Sequence, residues 1–178
     1  MTELLKWTLD TIRDDSELAW LEERRFEWVP IVNSFVDNVI NGSAVFIVTD
    51  KDRSWLEEYI VKSINKPIKN RPYLPFFSSK GMLPNIYADA KQEVFSSYTN
   101  MLDIVCNSYV FWYIGRHDNK LADFAKKQDD NFLWIFDEQW QNSFSLRSTD
   151  ENLDMKLLSL IKLLDKTIDA VMFGEISV

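Results

Sequence analysis

Apolar residues recur along this chain first at helical and then at strand spacing. Leu4, Leu5, Trp7, Leu9 and Ile12, followed by Leu18, Trp20, Leu21, Phe26 and Trp28, predict helix through most of the first forty residues. Pro30 lacks an N–H, so it must open a new helical turn or kink the old one. Beyond it Ile31, Phe35, Val36, Val39 and Ile40 keep the spacing as far as Asn41-Gly42, a C-terminal stop. The period then changes. Ala44 to Val48 is a short continuous apolar run, the pattern of a strand buried on both faces. Ser54 with Glu57 reads as a capping box opening a helix through about Lys62.

Tyr73 to Phe77 is a weaker strand, held to an edge-like role by Pro72 and Pro75. Ala90, Val94, Tyr98, Met101, Leu102 and Val105 share one helical face. Tyr109 to Ile114 and Phe132 to Phe136 are strong strands, with a short helix capped by Asn119 between them. Phe144 to Leu146 is a fifth candidate, and a long helix runs from Asp150 to about Phe173. The alternation predicts an α/β three-layer sandwich: a mainly parallel sheet of four to five strands with helices on both faces. The expected organisation is one domain over 1–178, with N-terminal helices over 1–42, alternating strands and helices over 43–147 and the long helix over 150–173.

Composition narrows the chemistry. The 178 residues hold one His, one Cys and four Gly, too few for a four-ligand structural zinc site, an internal disulfide or a glycine-rich phosphate loop. No cofactor or metal is expected. A net charge of -8 argues against direct DNA binding. The apolar runs are too short to span a bilayer, and Met1 to Lys6 does not read as a signal peptide, so a cytoplasmic location is expected. Charge is patchy: residues 51–80 carry seven bases against three acids, while residues 129–155 carry seven acids and only Arg147. Such patchiness suits steering of a protein partner, or an ordinary solvated surface.

In an open parallel sheet, ligands sit beyond the carboxyl ends of the strands. The sharpest enzymatic reading uses Asp50, Asp52 and Asp137. An apolar strand ending in Asp-x-Asp resembles the first motif of haloacid-dehalogenase-type phosphotransferases, which use one Asp as nucleophile, the next as acid or base, and later acids to hold magnesium. That family continues with Gly and a hydroxyl residue, whereas Arg53 and Ser54 follow here. Capping of the next helix by Asp50 or Asp52 is the simpler account. Lys66, Lys69 and Arg71 could touch phosphate, but read better as a solvated loop. Trp112 and Trp134 lie inside strands and belong to the core. The last helix is apolar over most of its circumference, which fits burial in the chain's own core alone or, as the favoured expectation, a second subunit against it through Leu157, Ile161 and Leu164.

Two N-terminal helices, a parallel sheet and a long final helix together look like a sugar isomerase (SIS) domain. Three strings carry a nearer resemblance: Glu22 to Pro30, Asn65 to Pro72 and, most specifically, Phe132 to Phe144. They are similar to the HobA family of bacterial replication-initiation regulators, which is related to DiaA. The resemblance implies a SIS-like fold, a homotetramer built as a dimer of dimers, and binding of the N-terminal region of DnaA. Such a scaffold gathers several DnaA molecules at the origin without turnover. It also implies that Met172 and Phe173 contact DnaA, by position with an apolar pair of DiaA-type relatives. Where sugar-handling SIS proteins place Glu and His at the start of the last helix, this chain has Met155 and Leu157, neither of which moves a proton.

Overall fold

The computed structural model describes residues 2–67, 70–82 and 92–178. Ala90 and Lys69, read above as a helical face position and a loop base, lie outside the described residues. The chain opens with α1 (Thr2–Arg13), a 3-10 helix over Ser16–Leu21 and α2 (Arg25–Ile40). Pro30 is the sixth residue of α2, and the helix runs on through it without an N–H to donate to Phe26 O. Then come β1 (Ala44–Thr49), α3 (Ser54–Ile64), β2 (Phe76–Ser78), the single turn α4 (Ser79–Met82), α5 (Gln92–Val105) and β3 (Tyr109–Arg116). The chain ends with α6 (Lys120–Lys126), β4 (Asn131–Phe136), β5 (Ser143–Leu146) and α7 (Leu153–Met172).

The five strands form one sheet in the order β2-β1-β3-β4-β5, every pair parallel. Alternation along the strands divides the core in two. Val45, Ile47, Trp112, Ile114, Phe132 and Trp134 face α1, α2, α3 and α7, while Phe46, Val48, Phe111, Tyr113, Leu133 and Ile135 face α5 and α6. β1 is buried along its whole length, which is why its sequence shows no polar alternation. On the first face Trp28, Phe35, Trp112, Phe132 and Trp134 form a continuous aromatic layer, with ring centroids 4.2 to 5.6 Å apart between neighbours.

Two local expectations change. Ser54 and Glu57 form no capping box, because Glu57 turns inward and is fully buried; the turn before α3 is capped instead by Asp50, whose carboxylate accepts from the Arg53 N–H. The short link before β5 does not prevent parallel pairing. β5 lies level with Leu133 to Phe136, so residues 137–142 need only fall back by roughly 10 Å, about three strand residues. Both ends of that link adopt the left-handed region, Asp137 at φ 64° and Asn142 at φ 54°. Asp137 then ties the two strand ends together, its N–H donating to Leu146 O at 2.9 Å and its carboxylate accepting from the Ser148 N–H at 2.8 Å.

Candidate functional site

The strand order reverses between β1 and β3, and the crevice there is where a parallel sheet most readily holds a ligand. Here it is filled from within. Asp50 follows β1, and its Oδ2 accepts from the Arg116 N–H at 2.9 Å and from Arg53 Nη1 at 3.0 Å, while Oδ1 accepts from the Arg53 N–H at 3.1 Å. The Arg53 guanidinium lies 4.8 Å from the centre of the Phe136 ring and is only 14% exposed. Gly115 leaves the space that Asp50 occupies: a Cβ there would stand 2.8 Å from Asp50 Oδ2. Across the crevice the Tyr113 hydroxyl donates to Arg116 O and accepts from Asn119 Nδ2, both at 2.7 Å, and burial raises its pKa.

The phosphotransferase arrangement is not assembled. Asp50 is committed to holding the chain ends, Asp52 points into solvent, and Asp137 serves the β4–β5 link with its pKa lowered by the hydrogen bonds from Ser148. Among the described residues no three His, Cys, Asp or Glu side chains converge as metal ligands. Beside β1 and β2, buried Glu57 accepts from the Thr49 hydroxyl at 3.1 Å, the Ser78 hydroxyl at 2.6 Å and the Lys80 N–H at 3.0 Å. Ser79 is buried against the Tyr98 hydroxyl at 3.3 Å. The hydroxyls after β2, the nearest equivalent to a Ser/Thr-rich sugar-phosphate loop, are therefore turned inward. His117 sets Nδ1 3.0 Å from Phe136 O.

The other candidate surface is the end of α7. Phe173 is 59% exposed, and Met172 is half-buried against the core. Several contacts fix their position. The Phe173 N–H closes the helix on Asp169 O at 2.9 Å, and Gly174 turns the chain at φ 73° so that the Glu175 N–H reaches Ala170 O at 2.8 Å. Ile176 is buried, and Ser177 bonds the Glu3 carboxylate of α1, which lowers its pKa. Below them Arg71, 2% exposed, joins Ile64 O at 2.7 Å, Asp165 at 2.6 Å and Asp169.

Arg71 is thus a buried clamp and not part of a solvated loop, a role hidden in the sequence because its two carboxylate partners lie more than ninety positions away. Glu57 and Gly115 likewise act through residues distant in sequence, Glu57 through Ser78 and the Lys80 N–H and Gly115 through Asp50. Leu157, Ile161 and Leu164, expected against a second subunit, are fully buried in this chain's own core. The buried face of α7 packs on α2 and the 3-10 helix over Ser16–Leu21, while Met155 at its start stays 58% exposed. No described helix is long and apolar enough to cross a membrane.

The fold and site define a parallel five-stranded α/β protein whose β1/β3 crevice holds an ion pair of its own and whose last helix ends on an exposed aromatic side chain. Comparison with known proteins gives that class a family. A family model described as HobA, DNA replication regulator, matches residues 1–178, and the chain belongs to this family. It is 26% identical over 186 residues to the DNA replication regulator protein HobA of Helicobacter pylori (strain ATCC 700392 / 26695), covering 99% of each chain. It superposes on a crystal structure of a HobA–DnaA (domain I–II) complex from the same species with a TM-score of 0.77 at 25% identity, covering 100% of both chains. A crystal structure of H. pylori HobA gives a TM-score of 0.78 at 24% identity, over 100% of this chain and 99% of that one.

Proposed function

We propose that this protein is a non-catalytic adaptor that binds the N-terminal region of DnaA. As a homotetramer of single-domain subunits in the cytoplasm, it gathers several DnaA molecules at the origin and promotes initiation. The observation that carries the reading is the end-to-end likeness, in sequence and fold, to a replication regulator solved in complex with DnaA domains I–II. The shape of the molecule supports it in two ways. Its crevice has no free acid or base from Asp50 to offer a substrate, and the end of α7 offers Phe173 on a support that does not have to be ordered on binding. Met172 and Phe173 are assigned to the DnaA contact.

The test is calorimetric titration of the purified protein with a DnaA N-terminal fragment, repeated with Met172→Ala/Phe173→Ala, alongside light scattering for the assembly. Saturable binding that the double variant weakens supports the adaptor. A monomer that does not bind DnaA overturns it.

A further inference from the structure

The donors that hold Asp50 come from two directions. The Arg53 N–H and guanidinium stand at the start of α3, and the Arg116 N–H lies at the end of β3. Together they present three N–H groups and one full positive charge to a single carboxylate, in a pocket where Arg53 is mostly shielded from water and packed on Phe136. Gly115 provides the room, because any side chain there would run into Asp50 Oδ2. This donor set is the one that proteins use to bind a free carboxylate: a guanidinium with backbone N–H groups at the switch point of a parallel sheet. What differs is that the bound group is covalently part of the chain.

We propose that the β1/β3 crevice is a small-carboxylate site whose resident ligand is the chain's own Asp50. The side chain fills the place where related folds hold a ligand, and so keeps the crevice closed to anions from solution. Removing the carboxylate while sparing the turn should then turn the crevice into a binding site for a free carboxylate. The inference concerns the crevice alone and does not depend on DnaA binding.

Asp50→Ser is the variant of choice, since a serine hydroxyl still caps the Arg53 N–H but takes the carboxylate away from the Arg116 N–H and leaves the guanidinium only the exposed Asp52, 3.8 Å away. Asp50→Asn fills the same space with an amide and serves as the occupied control. Thermal unfolding of each is followed in sodium formate and in sodium chloride at matched ionic strength. The expected result is a saturable rise in the Asp50→Ser midpoint in formate beyond that in chloride, roughly 3–6 °C at about ten times the formate dissociation constant. The parent and Asp50→Asn should respond equally to both salts. Equal responses of Asp50→Ser overturn the proposal. If Asp50→Ser does not fold unaided, it is refolded from denaturant in each salt. Recovery in formate alone supports the site, and recovery in neither or equally in both overturns it.

Discussion

Gly115 and Asp50 approach so closely that a single methyl group on Gly115 would lie 2.8 Å from the Asp50 Oδ2 atom and equally close to the Tyr113 hydroxyl. The glycine is required by the neighbour. Gly115→Ala must push Asp50 off the Arg116 N–H or displace Tyr113, and overpacking of this kind costs ~1–3 kcal/mol. In urea denaturation the midpoint should fall with an unchanged slope. A variant as stable as the parent would mean that the crevice is not closed as described.

Arg71 predicts a second loss. Its guanidinium joins the end of α3 to Asp165 and Asp169, so Arg71→Met takes the buried guanidinium away from both carboxylates at once. Breaking one side of a buried ion pair costs about 3 kcal/mol or more, whereas replacing both sides can be nearly neutral. Asp165 is the more buried of the two acids. Arg71→Met/Asp165→Leu should therefore regain part of the stability lost by Arg71→Met, which a double-mutant cycle of unfolding free energies would show.

The burial of Leu157, Ile161 and Leu164 separates two kinds of effect. As fully enclosed core residues they should each lose ~2–5 kcal/mol on truncation to alanine. The mass measured by light scattering under folding conditions should not change. Loss of assembly without loss of protomer stability would restore them to a subunit contact.

Alkaline unfolding has a definite sign. Burial pushes the Tyr98 hydroxyl up to about 12 and raises that of Tyr113 as well, because both are taken out of water. An unfolded tyrosine titrates near 10, so the folded state favours the neutral phenol. Stability is fully present below about pH 10 and is lost as pH rises toward about 12. Urea midpoints measured at pH 8, 10 and 11 should fall steeply over the last step. Tyr98→Phe, which cannot ionise, should flatten that fall.

Much of the fold could be read from the chain because strand period and turn residues agree with each other. The run from Ala44 to Val48 and the aromatic-rich strands around Trp112 and Trp134 need no long-range information, and the Asn119 cap forms as its local chemistry requires. What was hidden depends on partners distant in sequence. Ser54 and Glu57 have the spacing of a capping box, but Thr49, Ser78 and the Lys80 N–H attract the Glu57 carboxylate inward. The apolar girth of α7 does not by itself reveal that α2 and the 3-10 helix pack on it and enclose Leu157, Ile161 and Leu164. The crevice was readable in part: Asp50 as a cap follows from the strand–turn–helix pattern, but its bond to the Arg116 N–H requires the β1–β3 pairing.

Phe173 gives the sharpest separation between fold and function. Its ring is 59% exposed, and its backbone is held by the helix end, by Gly174 and by the docked tail through Ile176 and Ser177. Phe173→Ala therefore removes almost nothing from the core, and the thermal midpoint should stay within the small range expected of surface changes, about 0.5 kcal/mol. If the ring is an anchor for DnaA, its loss should weaken binding by at least ~2 kcal/mol, roughly thirtyfold in Kd. Met172 differs, because it is half-buried against the core, and its truncation should cost stability whether or not it also weakens binding. Pairing a melting curve with a calorimetric titration for each single variant therefore assigns the contact. Full affinity in a stable Phe173→Ala protein would move the DnaA surface away from the end of α7, whatever Met172→Ala does.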